Sequence, residues 1–100
     1  MDGIPVTVNG KRWRLVFEPL TKGDLGRCQS PTTPGKKIII SPSVKHDDQL
    51  YLETVLHEIL HAAVWNLDEE FVEEYARAAA RTVIKLGFRR TEEPYGKKPN

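Results

Sequence analysis

Polar and apolar residues alternate near the start of the chain, and this alternation predicts a β-hairpin over residues 6–17. The second arm has an apolar face, formed by Trp13, Leu15 and Phe17, and a polar face, formed by Arg12, Arg14 and Glu18, with Val16 as an exception to the alternation. Asn9-Gly10 joins the two arms. This pair favours a type I′ turn, because both central residues of that turn take positive φ.

A second pair of short strands is predicted further along the chain. Residues 36–41 contain three consecutive isoleucines bounded by Gly and Pro, a pattern typical of a strand. Residues 25–29 predict a shorter strand, and the Pro- and Gly-containing segment 30–35 predicts the turn between them. We interpret Cys28 as a small residue of this sheet rather than a nucleophile, because no histidine lies near it in the sequence.

Beyond residue 50 the apolar residues recur with a helical period, which predicts a first helix over about 47–65. Asp47 and Asp48 suit its first turn, where the helix dipole favours acidic side chains. The apolar stripe consists of Leu52, Val55, Leu56, Ile59, Leu60, Ala63 and Val64.

A second helix is predicted over about 69–86, followed by Gly87 as a residue that ends helices well. Its expected apolar face consists of Val72, Tyr75, Ala76, Ala79, Val83 and Leu86. The short link between the helices favours an antiparallel pair. We therefore expect an α+β fold in which antiparallel strands pack on two antiparallel helices.

Composition and charge narrow the class of protein. One hundred residues, 39% hydrophobic and 29% charged, predict a single globular domain over 1–100, with a frayed tail at about 89–100. A formal net charge of +1 gives no strong reason to expect nucleic acid or a membrane surface as a partner. A single cysteine, no signal-peptide pattern and no long apolar run predict a cytoplasmic protein.

The first helix contains an HExxH motif formed by His57, Glu58 and His61. Residues four apart lie on one helical face, so both imidazoles can reach one metal ion, and Glu58 can accept a proton from a water beside it. Zn²⁺ is the metal that this residue set favours. The alternative is a pair of histidines at the edge of the apolar stripe that make ordinary hydrogen bonds.

A third protein ligand is expected for a catalytic zinc, and helical phase favours Glu69. Glu69 lies at the edge of the packed face of the second helix, in the turn that an antiparallel partner brings beside the histidines. Glu73 and Glu70 are the next candidates, and Glu73 could instead hydrogen-bond a ligating histidine. His46 is a weaker candidate, and acidic residues are also common in any first helical turn.

The segments His57-Glu58-Ile59-Leu60-His61-Ala62 and Leu67 to Ala76 resemble the compact HExxH metallopeptidases of phages and prophages, among the minimal gluzincins of the ImmA/IrrE-like group. The resemblance implies that Glu69 is the third zinc ligand and Glu73 supports a ligating residue. It departs from the commoner pattern at Val72-Glu73, where Ala-Asn is usual. It also implies a zincin-like domain in which the strand before the HExxH helix, Ile38–Ile40, is an exposed edge that binds the substrate backbone.

Three functions follow as expectations. The first is a zinc peptidase acting on a protein or peptide, with Glu58 as general base; Tyr75 would be a core residue or a further donor to the oxyanion. The second is a catalytically silent, zinc-stabilised module that binds a protein. Basic residues such as Arg12, Arg14 and Lys36 suggest a third, a nucleic-acid-associated protease, against which the small net charge argues.

Overall fold

The computed structural model describes residues 3–91 and shows a four-stranded sheet followed by two α-helices. The strands are β1 (Ile4–Val8), β2 (Lys11–Phe17), β3 (Gly26–Cys28) and β4 (Lys37–Ile40); the helices are a short 3₁₀ helix (Pro42–His46), α1 (Asp48–Ala63) and α2 (Glu69–Lys85). The predicted α+β layout is thereby confirmed. The predicted tail at 89–100 falls mostly outside the described residues.

Both predicted hairpins are present. β1 and β2 pair antiparallel, and Asn9 and Gly10 between them take φ of 52° and 78°, as a type I′ turn requires. β3 and β4 also pair antiparallel. The side-chain amide of Asn9 donates a hydrogen bond to the Ala63 carbonyl oxygen at 2.9 Å, which ties the first turn to the end of α1.

The two hairpins are joined by a parallel pair, β2 with β4, and this corrects the expectation of antiparallel strands throughout. A parallel neighbour is possible because the segment between Phe17 and Lys37 is long and contains β3. This segment returns the chain to the end of the sheet where β2 begins, so β4 can run in the same direction as β2. The strand order is β1-β2-β4-β3. β4 is therefore an interior strand, so the prediction that Ile38–Ile40 forms an exposed edge is wrong.

The inner face of the sheet packs against α1. The main core cluster combines strand residues with one residue from the 3₁₀ helix and one from α1: Trp13, Leu15, Ile38, Ile40, Val44 and Ala62. α1 turns Thr54, Glu58 and Ala62 toward this side and buries them. Because α2 packs on the other side of α1, this helix is covered on two sides.

Three contacts show that the helices are antiparallel, as predicted. His61 pairs with Glu69, Glu53 with Arg77, and Asp48 with Arg90. Residues progressively earlier in α1 thus contact residues progressively later in the segment that begins with α2. α2 buries the small residues of its face, Val72, Ala76 and Ala80. Tyr75 and Leu86 were expected on this face, but they are 53% and 70% exposed, because burial is confined to the narrow stripe of small residues.

Within residues 3–91, no helix is both long and apolar enough to cross a membrane.

Candidate metal centre

α1 presents His57 and His61 to α2 rather than to the sheet. Their side chains are only 21% and 17% exposed, and their ring centroids lie 5.1 Å apart. One helical turn separates the two residues, so both rings point to the same side of the helix. The predicted spacing thus yields two imidazoles that face one point.

α2 begins where its first residue can meet these rings. Asp68 caps the helix, because its carboxylate accepts a hydrogen bond from the Phe71 N–H at 3.1 Å. Glu69 is then the first helical residue, and its carboxylate bridges the histidines. One oxygen lies 3.0 Å from His57 Nε2 and the other lies 2.9 Å from His61 Nε2.

The donor set fits a divalent transition metal. One donor atom from each of His57, His61 and Glu69 lies within 4.8 Å of the other two. Tetrahedral Zn²⁺ with bonds of about 2.0–2.2 Å needs its ligand atoms roughly 3.3 Å apart, so small side-chain movements satisfy the geometry. Two imidazoles and one carboxylate also form the ligand set that leaves one position open for water in catalytic zinc sites.

The other candidate ligands lie elsewhere. Glu70 and Glu73 are exposed, and across residues 3–91 no hydrogen bond joins Glu73 to either histidine. His46 donates its Nδ1–H to the Ser43 carbonyl oxygen at 2.6 Å. Tyr75 is exposed and lies against Phe71, with ring centroids 5.8 Å apart, so it is neither a core residue nor a wall of the site.

Glu58 lies between α1 and the sheet and is only 7% exposed. Its side chain is therefore more buried than that of a residue on a half-buried helix face. Burial raises the pKa of its carboxyl to about 7, with further contributions from the negative charges of Glu69 and Asp24 and an opposing one from Arg27. A carboxyl with this pKa can both accept and release a proton near neutral pH.

β3 forms the wall opposite Glu58, a role that the sequence analysis did not assign to it. A Cβ atom at Gly26 would meet Glu58 Oε2 at 2.8 Å and Thr54 Cγ2 at 3.0 Å. Only glycine lets the strand approach α1 this closely. An isolated glycine in a short predicted strand is the signal that could have identified this contact.

Cys28 and Trp65 complete the cleft, which has a volume of about 410 Å³ and also contains Gly26, the histidines and both glutamates. Burial, and then the charge of Glu58, raise the pKa of the Cys28 thiol to about 12. Cys28 is therefore an uncharged thiol, in agreement with the interpretation that it is not a nucleophile. Trp65 is 43% exposed and supplies the only large apolar surface among the residues that line this cleft.

Comparisons with protein-family models, with curated proteins and with solved structures give no match to this chain. Its function is therefore inferred from its residues and their geometry.

Proposed function

We propose that this protein is a zinc-dependent peptidase in which His57, His61 and Glu69 hold the metal and Glu58 is the general base. The observation that carries the proposal is the Glu69 carboxylate, which lies 2.9–3.0 Å from the Nε2 atoms of both histidines. These residues come from two helices, and a buried carboxyl lies beside them at an open cleft. A purely structural ion pair does not require that last feature.

Zn²⁺ bound at such a site would polarise a peptide carbonyl and make a water molecule more acidic. Glu58 takes the proton of the attacking water and then delivers it to the leaving amine nitrogen. Its raised pKa suits both steps, because neither proton acceptance nor proton release is strongly unfavourable near pH 7. Glu69 supplies one negative charge to the metal site and keeps both imidazoles on one side of α1.

The substrate would bind along β3 instead of the interior strand β4. Leu25 and Gln29 form their backbone hydrogen bonds with Ser41 and Lys37 on the β4 side. Backbone groups alternate in direction along a strand, so those of Gly26 and Cys28 point to the free edge. An extended peptide that pairs with this edge would pass beside Glu58, which supports a protein or peptide substrate.

The proposal extends to the cellular setting. One cysteine in 100 residues, held as a thiol, suits a reducing cytoplasm. Membership of the compact HExxH metallopeptidases of phages and prophages is likewise a proposal, supported by the sequence pattern around the histidines and Glu69.

The Glu58→Gln variant tests the catalytic role. Glutamine keeps the size of the side chain but cannot accept the proton, so we expect hydrolysis of unfolded proteins by the zinc-loaded protein to fall about 10²- to 10⁴-fold. Metal content and thermal unfolding are measured on the same samples, and both should be retained.

Cleavage that survives in Glu58→Gln with its zinc in place would contradict the mechanism. If zinc binds to both proteins but neither cleaves unfolded proteins or a random peptide library, the zinc-stabilised binding module replaces the peptidase.

A further inference from the structure

α2 has an apolar stripe on its surface beside the stripe that it buries against α1. The buried stripe consists of Val72, Ala76 and Ala80. At 3.6 residues per turn, six further uncharged residues fall within a sector of about 100° next to it. These residues are Phe71, Tyr75, Ala78, Ala79, Thr82 and Leu86, and we call them the exposed stripe. A helix that packs on a single neighbour does not need this second apolar surface.

Within residues 3–91, the exposed stripe is open to solvent. Phe71, Tyr75 and Leu86 are 50%, 53% and 70% exposed, and the two aromatic rings lie against each other. The Thr82 hydroxyl donates to the Ala78 carbonyl oxygen at 2.8 Å, so it needs no partner outside the helix. Apolar surface that is contiguous in this way, rather than scattered, is typical of an interaction site.

The residues of the exposed stripe are arranged symmetrically about its centre. Ala78 and Ala79 form the centre, Tyr75 and Thr82 come next on either side, and Phe71 and Leu86 lie at the two ends. Two copies of α2 that pack antiparallel about a two-fold axis would therefore bring Phe71 of one copy to Leu86 of the other, twice. The small alanines would meet at the axis, where they let the two helices approach closely.

The charges on the flank of the exposed stripe complement each other in the same arrangement. Glu70 and Glu74 occupy the first half of this flank, and Arg81 and Lys85 occupy its second half. An antiparallel two-fold pair brings the same flank of both helices together, so the acidic half of one copy lies beside the basic half of the other. Glu74 would then face Arg81 of the other copy, and Glu70 would face Lys85. Among residues 3–91, neither Arg81 nor Lys85 has an ion-pair partner within the chain.

We infer that the exposed stripe joins two copies of this chain into a symmetric dimer by antiparallel packing of α2. Burial of the exposed parts of Phe71, Tyr75 and Leu86 removes roughly 100 Å² per side chain, or about 600 Å² in the dimer. The alanines, Thr82 and the stems of the flanking charged residues bring the total to about 1,000 Å², the lower end for a specific interface. We therefore expect a weak dimer with a dissociation constant in the micromolar range.

The dimer does not depend on the metal centre. No residue of the exposed stripe lines the metal cleft, and Phe71 and Glu69 project from nearly opposite sides of α2. Dimerisation requires neither zinc nor Glu58. The peptidase proposal and the dimer proposal therefore fail independently.

Sedimentation equilibrium of the full chain, from micromolar to near-millimolar concentrations, tests the inference. Wild type should follow a monomer–dimer equilibrium. Tyr75→Glu introduces two charges into the apolar interface and should raise the dissociation constant at least about 30-fold. Thr7→Glu is the matched control, because it adds the same charge at an exposed position of β1, and it should dimerise as wild type does.

An exchange of charges tests the antiparallel arrangement. Glu74→Lys and Arg81→Glu should each raise the dissociation constant about fivefold to thirtyfold, because like charges then face each other twice. Glu74→Lys/Arg81→Glu restores opposite charges and should recover most of the affinity. Within one helix these positions are about 10 Å apart along the axis, so the recovery must come from contacts between copies.

Wild type that stays monomeric at every concentration would assign the exposed stripe to a different partner and overturn the inference. Equal effects of Tyr75→Glu and Thr7→Glu would also overturn it, as would a charge exchange that recovers no affinity. Circular dichroism verifies that each variant is folded.

Discussion

At the residue scale, the contact between Gly26 and Glu58 sets the shape of the cleft. Glu58 Cγ would lie 2.9 Å from a Cβ at position 26, and Thr54 on the same helix face is a stiff β-branched residue. In a variant with a Cβ at this position, either Glu58 would change its rotamer or the helix and the strand would move apart. The absence of a side chain at position 26 therefore contributes both to stability and to the placement of Glu58.

Gly26→Ala should lower the free energy of unfolding by about 1–3 kcal/mol, because it overpacks the contact between β3 and α1. Urea denaturation of the metal-free protein measures the change. Arg27→Ala is the control, since that side chain is on the outer face in an exposed ion pair and should cost less than about 1 kcal/mol. Equal effects of the two substitutions would mean that the close approach is unimportant.

Cys28 offers a second prediction at this scale, and it depends on pH. A pKa of about 12 in place of 9.0 lowers the thiolate fraction at pH 8 about a thousandfold, and the greater nucleophilicity of a weakly acidic thiol offsets part of this. We expect iodoacetamide to modify the folded protein at least about thirtyfold more slowly than the protein in urea. Above pH 9 the modification rate of the folded protein should still rise with pH, whereas the modification rate of the unfolded chain should level off. Similar rates in both states would show that the thiol is not shielded.

Some of these residue-level features could be predicted and others could not. The shared direction of His57 and His61 follows from helical geometry alone. Helical phase favoured Glu69 over Glu70, whereas Glu73 lies on the same helical edge as Glu69 and was less favoured only because it is one turn further from the link. The burial of Glu58 depends on which strand lies under α1. That is a long-range property, and the only local sign of it is the glycine at position 26.

At the element scale, each α-helix begins at an aspartate cap, and only one of the two caps lies next to the proposed metal centre. Asp47 accepts a hydrogen bond from the Leu50 N–H at 3.0 Å and starts α1, whereas Asp68 starts α2 immediately before Glu69. Loss of either cap frays a first turn. Fraying at α2 also displaces a proposed ligand.

Asp68→Ala and Asp47→Ala should each lower the free energy of unfolding of the metal-free protein by about 0.5–2 kcal/mol. Only Asp68→Ala should also weaken zinc binding, because Glu69 lies in the turn that it caps. Urea denaturation and zinc titration of the two variants measure these effects. A loss of zinc affinity that is the same in both variants would argue against Glu69 as a ligand.

The elements themselves were largely predictable, because their signals are local. Asn9-Gly10 predicted the first hairpin, and the helical period predicted both helices to within about two residues at their ends. The order of the strands was not predictable in the same way. Whether β4 lies inside the sheet or at its edge depends on how two hairpins pair, and no local pattern determines this.

At the scale of the whole molecule, the fold is a sheet with α1 on its inner face and α2 beyond α1. The proposed metal residues occupy the junction of both helices with the free edge of the sheet. A domain of 100 residues has a small core, so a metal that joins α1 to α2 would also stabilise the folded chain. The two helices and the metal would then form one cooperative unit.

The central claim is that His57, His61 and Glu69 form the metal centre, and equilibrium zinc titration against a competing chelator tests it most directly. Wild type should bind one zinc ion, Glu69→Ala should bind it more than about 100-fold more weakly, and Glu70→Ala should match wild type. Wild type that takes up no zinc, or equal affinities of Glu69→Ala and Glu70→Ala, would contradict it.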